Sequence, residues 1–188
     1  MDLPVMAFKD SAEWELWLSQ NYTLQTGIWV KVAKKDSGIA SVAIADALDG
    51  ALCYGWIDDQ RRSFDDTHYL QKYTPRRPRS MWSKVNIGKV EALIAEGRMQ
   101  PQGQAAIDQA KADGRWEAAY ESQANATVPP DLQTALDQNK TAKVFFETLN
   151  RTNQYAVLWR LMTAKTPQIR AKRLQNMVAL LKAGKEIH

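Results

Sequence analysis

The feature that most restricts the fold is a change of periodicity near Ser80. Before this residue, segments with apolar residues at helical spacing alternate with stretches rich in aromatic and β-branched residues. After it, apolar residues recur only at helical spacing, as far as residue 184. Strands confined to the first 80 residues, followed by helices alone, predict an α+β protein.

The first 80 residues predict two helices and three strands. Asp10, with Glu13 at capping-box spacing, starts a helix that ends near Asn21. A second helix covers residues 42–54 and is followed by Gly55, a residue type favoured just after a helix C-terminus. Strands are predicted at residues 27–32, 56–64 and 68–74, the last two forming a hairpin. We therefore expect a small antiparallel sheet with helices.

The rest of the chain is predicted to be helical. Ser80 is the expected cap of a helix that runs to Ala95. The loop at residues 125–130 suggests a boundary between an α+β domain at 1–126 and a helical module at 127–188 that packs on it. The alternative is that both parts form one compact domain. The other helices are expected at residues 101–113, 131–138, 141–149, 151–164 and 166–184.

Composition and motifs limit the classes of function. No apolar run is long enough to cross a bilayer, and the first residues lack the pattern of a secretion signal. A single cysteine, Cys53, fits a reducing compartment, so a cytoplasmic location is expected. The two histidines and Cys53 lack metal-ligand spacing, and there is no phosphate-loop or dinucleotide motif, so we expect no metal and no cofactor.

The charge is unevenly distributed along the chain. The net charge is +4, but residues 72–89 carry six basic side chains and no acidic one. Residues 140–188 form a second basic segment, with ten basic and two acidic side chains. Two such segments suggest an anionic partner, although basic side chains that only solvate helix faces would give the same pattern.

The segment ALCYGWIDDQRRSFDD, residues 51–66, joins an apolar helix end to a run of charges. Cys53 lies on the apolar side of that helix and is expected to be buried and unreactive. Asp58 and Asp59 are weak candidates for a general base. Because side chains alternate along a strand, Asp59 is expected to share a face with Arg61, and Asp58 to share the other face with Arg62.

The segment KYTPRRPRSMWSKVN, residues 72–86, resembles an anion site. Its prolines stiffen a loop that presents arginines close to a predicted helix N-terminus. We expect this segment and residues 51–66 to form the two walls of a polar cleft that binds a small anionic ligand. The alternative is that the arginines only pair with the aspartates of the hairpin. The candidate ligand-binding residues are Trp56, Arg61, Arg76, Arg77, Ser80, Trp82, Ser83 and Asn86.

Two other functions remain open from the sequence. In an uncharacterised enzyme, Asp58 or Asp59 would act as a general base, but neighbouring arginines are expected to lower the carboxyl pKa. In an interaction protein, the basic C-terminal helices would contact an acidic protein, a membrane surface or a nucleic acid. Nucleic acid is the least favoured of these, because no nucleic-acid-binding motif occurs. Arg170 and Arg173 are the residues whose charge reversal would test such a surface.

Several ordered motifs resemble the YdeI/OmpD-associated family. They are ALCYGWID at residues 51–58, YTPRR at 73–77, SMWSKVN at 80–86, GRM at 97–99, VPPDL at 128–132 and AKT at 164–166, followed by Arg170 and Arg173. The resemblance extends over residues 8–184. It implies a link to bacteriocin or antimicrobial-peptide protection and to stress response, a cytoplasmic or peripheral protein, and a small α+β fold. It implies no particular catalytic residue.

Overall fold

The computed structural model describes residues 3–185 and divides into two compact units. The first unit contains the described residues up to Trp82 together with Asn86–Ala118; the second contains Ser83–Val85 and the residues from Ala119 onward. The domain boundary at residue 126 stays a prediction. The elements in the described residues are β1 (Val5–Ala7), α1 (Ser11–Asn21), β2 (Ile28–Ala33), α2 (Ile44–Cys53), β3 (Trp56–Ser63), β4 (His68–Pro75), α3 (Lys84–Ala95), α4 (Pro101–Ala112), α5 (Pro130–Asp137), α6 (Lys140–Thr148), α7 (Arg151–Met162) and α8 (Pro167–Lys182).

The α+β class is confirmed, with a mixed four-stranded sheet in the order β1-β2-β4-β3. The β2–β4 and β3–β4 pairs are antiparallel, as expected. The additional strand β1 pairs in parallel with β2, because α1 crosses over between them and returns the chain in the same direction. With only three residues, β1 is too short to show a strand periodicity in the sequence.

The core of the first unit lies on one face of this sheet. Ile28, Val30 and Val32 project from alternate positions of β2 and are all at most 3% exposed. Trp14 of α1 is fully buried, and its indole N–H donates a hydrogen bond to the carbonyl oxygen of Ala47 in α2 at 2.9 Å. This bond satisfies the polar atom of the largest side chain that joins α1 to α2. Other core members are Phe8, Leu18, Val42, Ala51, Trp56 and Tyr73.

The predicted ends of α1 and α2 are close to those observed. The Asp10 side chain accepts a hydrogen bond from the backbone N–H of Glu13 at 2.9 Å, which caps α1. Gly55 follows α2 with a φ of 74°, a conformation that is less favourable in free energy for residues with a side chain than for glycine. The chain can therefore turn sharply from α2 into β3.

The predicted start of the helix after the hairpin is wrong. Helix α3 begins at Lys84 rather than after Ser80, and residues 80–82 are not helical. The backbone N–H of Ser80 donates instead to the carbonyl oxygen of Arg77 at 2.9 Å, within a turn. Because Pro78 stands inside this turn, the local hydrogen bonds close a turn rather than start a helix. The arginines are consequently not adjacent to the N-terminus of α3.

The second unit is built from α5–α8, at positions close to those predicted. Asn139, Asn150 and Thr166 cap α6, α7 and α8 by accepting hydrogen bonds from backbone N–H groups. Pro130 and Pro167 occupy the first turns of α5 and α8, where a missing N–H costs nothing. The unit has its own core, which includes Leu132, Leu136, Ala142, Phe146, Val157, Leu158, Leu161, Met177 and Leu181.

Two glycine substitutions should have opposite effects on stability. A Cβ at Gly103 would collide with the carbonyl oxygen of Cys53 and lie 2.7 Å from that of Leu52, so Gly103→Ala should cost about 1–3 kcal/mol. A Cβ at Gly88, inside α3, would meet no atom within 4 Å, so Gly88→Ala should gain roughly 0.5–1 kcal/mol. Urea unfolding measures both changes. An equal effect of the two substitutions would contradict the close approach of α2 and α4.

Candidate functional site

A β-bulge decides which hairpin charges face the helices. Asp58 pairs with Tyr73 and Arg61 pairs with Gln71, so two residues of β3 oppose Lys72 alone. The extra residue reverses the alternation, and Asp58 and Arg61 leave the same face as Tyr73 and Gln71. The predicted grouping of Asp59 with Arg61 is therefore wrong.

The outer face of the hairpin carries its own charge partners. Asp59 Oδ2 lies 3.0 Å from Lys72 Nζ, and the Arg62 guanidinium lies 4.3 Å from the ring centre of Trp29. At the hairpin turn, Asp65 Oδ2 lies 3.4 Å from Lys31 Nζ. These contacts assign Asp58, not Asp59, to the face that carries the helices.

The ionisation of Asp58 depends on the protein atoms around it. Its side chain is accessible to solvent, yet protein atoms surround it closely enough to remove part of its hydration. This desolvation raises the pKa of Asp58 and outweighs the lowering by its own backbone N–H and by Arg76 and Arg61. The arginines do lower this pKa, as expected, but by less than desolvation raises it. Both arginines act on the carboxylate through space, without a hydrogen bond to it.

Tyr73 lies directly opposite Asp58 on the same face of the hairpin. It is fully buried, and its hydroxyl oxygen has no hydrogen-bond partner among residues 3–185. Burial and the nearby Asp58 charge raise the pKa of Tyr73, so the hydroxyl keeps its proton and can donate it in a hydrogen bond. Asp49 of α2 also acts on Tyr73 electrostatically, and its Oδ1 accepts a hydrogen bond from Lys89 Nζ at 2.7 Å.

The loop at residues 76–82, here called the Arg76 loop, is fixed at both ends. The backbone N–H of Arg76 donates to the carbonyl oxygen of Gly55 at 2.9 Å. The Arg76 guanidinium lies over Trp82, 3.7 Å from the ring centre, and its Nη1 donates to the carbonyl oxygen of Met81 at 3.4 Å. Arg115 Nη1 donates to the carbonyl oxygen of Ser80 at 2.7 Å. Arg76 is thus held beside the start of β3.

Arg77 and Arg79 differ from Arg76 in their surroundings. Both side chains are exposed, and neither forms an ion pair or hydrogen bond with a residue in the described range. The alternative that these two arginines pair with the hairpin aspartates is not observed, since Asp59 and Asp65 pair with lysines. Two guanidinium groups at the outer part of the loop remain available to an anion.

The other predicted site residues have more varied positions. Trp56 is fully buried and its indole N–H donates to the carbonyl oxygen of Tyr22 at 3.3 Å. Trp82 is 2% exposed and packs against Arg76, with Trp116 5.2 Å away between ring centres. Neither tryptophan therefore has a ring face open to solvent.

The structure also shows where the polar residues of the predicted ligand-binding set lie. Arg61 Nε donates to Gln71 Oε1 at 3.0 Å, and its guanidinium lies 4.7 Å from the ring centre of Tyr69. Ser83 forms a bridge with Tyr120 in the second unit. Asn86 is half-buried in the first turn of α3. The structure thus associates Asp58, Arg61, Arg76 and Trp82, whereas the ligand-binding roles of all these residues stay predictions.

Cys53 is buried, as expected. It is 2% exposed, and burial raises its thiol pKa to about 11, so a negligible fraction is thiolate near pH 7. Among residues 3–185 there is no group of three or more His, Cys, Asp or Glu side chains that could hold a metal ion. In the same range, no helix has the length and apolar character needed to cross a membrane.

Sequence reasoning did not identify Tyr73 as a site residue. In the sequence it is one of the alternating aromatic residues of a strand, and nothing there distinguishes it from Tyr69. The signal that could have identified it is the pairing of Tyr73 with Asp58, which depends on the position of the bulge.

The arginines of α8 are used inside the second unit. Arg170 donates through Nε and Nη2 to the two carboxylate oxygens of Asp131, at 2.7 and 2.9 Å, and this pairing lowers the pKa of Asp131. Arg173 Nη1 donates to the carbonyl oxygen of Arg160 at 2.7 Å and to Thr163 Oγ1 at 3.2 Å. These contacts join α8 to α5 and α7, so charge reversal at either arginine disturbs the fold as well as the surface.

Reversing a charge on α8 should have an effect that depends on these contacts. Arg173→Glu loses two hydrogen bonds and places a carboxylate near carbonyl oxygens, so we expect a loss of about 1–3 kcal/mol. Lys172→Glu changes the charge equally at an exposed position and should stay within about 0.5 kcal/mol. Differential scanning calorimetry compares the two; equal losses would contradict a structural role for Arg173.

The raised pKa of Asp58 predicts a pH-dependent stability change. Because the folded-state pKa exceeds the unfolded value of about 3.9, folding favours the protonated carboxyl, and stability decreases as the pH rises through the folded-state pKa. Asp58→Asn should therefore raise Tm at pH 7 and leave it nearly unchanged at pH 3. Asp59→Asn is the control and should not raise Tm, because it loses the Lys72 ion pair. A lower Tm for Asp58→Asn at pH 7 would show that the carboxylate is stabilising.

Two family sequence models match different parts of the chain. Residues 125–184 match the family described as "Bacteriocin-protection, YdeI or OmpD-Associated" (OmdA), which confirms the resemblance for that region. Residues 6–106, which contain the hairpin and the Arg76 loop, match a different model, "Domain of unknown function (DUF8412)", over more than half of the chain. No curated protein and no solved structure matches the chain significantly. The chain therefore belongs to the DUF8412 family and carries, at residues 125–184, a domain of the bacteriocin-protection, YdeI or OmpD-associated family.

Proposed function

We propose that the protein binds a small anionic ligand at the surface formed by the hairpin and the Arg76 loop. The observation that carries this proposal is the state of the loop arginines. Arg77 and Arg79 are exposed and have no ion-pair partner in the described range, whereas the hairpin carboxylates Asp59 and Asp65 pair with lysines. The excess positive charge of the loop is thus available to a ligand.

The arrangement of Arg76 supports this role. Stacking on Trp82 and the backbone hydrogen bond to Gly55 fix the guanidinium before any ligand arrives. A guanidinium held in place loses less conformational entropy on binding than a free surface side chain. Its planar donors suit the oxygen atoms of a carboxylate or phosphate. In this proposal Trp82 acts by supporting Arg76 rather than by contacting the ligand.

The rival functions receive less support. A basic docking surface on the C-terminal helices would need Arg170 and Arg173, which already bind Asp131 and backbone carbonyl groups. An enzyme with Asp58 as general base gains support from the raised pKa of that carboxyl. The neighbouring Tyr73 is fully buried and its raised pKa keeps the hydroxyl protonated, so the residues around Asp58 support binding better than catalysis.

The biological setting is part of the proposal. The description of the family that matches residues 125–184 supports a role in protection against bacteriocins, and hence in antimicrobial-peptide resistance and stress response. A cytoplasmic location is supported by the single cysteine, which is buried as a free thiol.

Anion binding should depend on the loop arginines. We expect the double substitution Arg76→Ala, Arg77→Ala to reduce affinity at least tenfold, because each charge-assisted hydrogen bond contributes about 1.5–3 kcal/mol. Isothermal titration calorimetry with inorganic phosphate, citrate and glycerol 3-phosphate measures this change. Arg62→Ala removes the same charge from the outer face of the hairpin, where Arg62 covers Trp29, and should bind like the wild type.

Salt dependence separates the proposal from its main rival. Binding of one small anion that persists from low to moderate salt supports the arginine site. Binding of only short DNA or acidic lipid vesicles, with an affinity that collapses as salt rises, would contradict it and favour a diffuse basic surface.

A further inference from the structure

We infer that the ligand is a zwitterion, with an oxyanion group at the loop arginines and an ammonium group at Asp58. This inference rests on the proposed anion site and specifies the class of molecule that the site takes. The ammonium would bind beside Asp58 on the inner face of the hairpin, the face that also carries Arg61 and Tyr73.

The Asp58 carboxylate is the first reason. It is accessible to solvent and forms no ion pair and no side-chain hydrogen bond within residues 3–185. It lies close enough to Arg76 for the two charges to interact, so an anion bound at Arg76 would also feel the negative charge of Asp58. A ligand with a second, positive group turns this repulsion into an attraction, which a simple anion cannot do.

The Tyr73 hydroxyl is the second, independent reason. Leaving a buried hydroxyl without a hydrogen bond costs about 1–3 kcal/mol, so such groups are uncommon in folded proteins. Tyr73 is 0% exposed, its hydroxyl has no partner in the described range, and it stands opposite Asp58 across the hairpin. A ligand group at Asp58 therefore lies beside the strand position of Tyr73, and a group that reaches the hydroxyl would complete its hydrogen bonding.

The fixed separation of the charges is the third reason. Arg76 influences Asp58 without forming a hydrogen bond to it, because stacking on Trp82 and the bond to Gly55 hold the guanidinium on the loop. Opposite charges that the fold keeps apart are complementary to a small molecule whose own opposite charges are joined by a short chain. The cation-binding part would thus come from β3 and the anion-binding part from the loop.

Matched pairs of probes test the inference. O-phosphoethanolamine is compared with n-propyl phosphate, and 4-aminobutyrate with pentanoate, because each pair differs in replacing the ammonium by a methyl group. We expect at least one zwitterion to bind about five-fold or more tightly than its partner, which corresponds to one favourable ion pair. Isothermal titration calorimetry at neutral pH and low salt gives the affinities, with Tm and circular dichroism confirming the fold of each variant.

Two variants locate the preference. Asp58→Asn should abolish the preference for the zwitterion and keep binding of the matched anion. Asp66→Asn removes an exposed carboxylate from the turn of the same hairpin and should leave the preference unchanged. If both variants keep the preference, the ammonium does not bind at Asp58 and the inference is overturned.

The outcomes distinguish this inference from the proposed function. Equal affinities for zwitterion and matched anion, both lost in the Arg76→Ala, Arg77→Ala variant, would overturn the inference and leave the anion site intact. Absence of binding by every probe, including phosphate and citrate, would overturn both.

Discussion

One extra residue in strand β3 determines the chemistry of the first unit. The bulge between Asp58 and Arg61 reverses the side-chain alternation, so that Asp58, Arg61, Gln71 and Tyr73 share the face that carries the helices. Without it, Asp58 would share its face with Arg62, and Asp59 would share the other face with Arg61. The ion pair between Asp59 and Lys72 and the stacking of Arg62 on Trp29 both depend on this register.

The charged side chains of the hairpin and the Arg76 loop are of two kinds, those with a local partner among the described residues and those without one. Most hairpin charges have a local partner: Asp65 with Lys31, Asp59 with Lys72, Arg62 with the ring of Trp29. Exposed pairs of this kind contribute little to stability, but they determine which charges stay available. Asp58 and the outer loop arginines remain, and both proposals are built on them.

Burial and charge have opposite effects at Asp58. Two arginines favour the ionised carboxylate, whereas partial loss of hydration favours the neutral acid, and the second effect is larger. Nearby protein atoms remove enough water to raise the pKa, while the arginines act on the carboxylate without donating hydrogen bonds to it. The helical unit shows the opposite case, because direct hydrogen bonds from Arg170 lower the pKa of Asp131.

The sequence by itself determined the α+β class and most of the elements, because helix caps, helix-ending glycines and periodicity are local signals. Asp10, Gly55 and the caps of the C-terminal helices all act within a few residues of their own position. It also placed candidate charges in two segments that the structure associates through Asp58 and Arg76. Strand β1 was not predicted, because it pairs with β2, which lies beyond helix α1 in the chain.

Only the tertiary structure decided which charged side chains have partners inside the protein and which can contact a ligand. The register of β3 with β4 places Asp58 rather than Asp59 on the inner face and pairs it with Tyr73. Contacts between distant helices occupy Arg170 and Arg173. The start of α3 at Lys84 also depended on more than the local sequence, since the backbone N–H of Lys84 binds the carbonyl oxygen of Tyr120. Each of these outcomes depends on partners far apart in the chain, and residue spacing alone carries no information on such pairings.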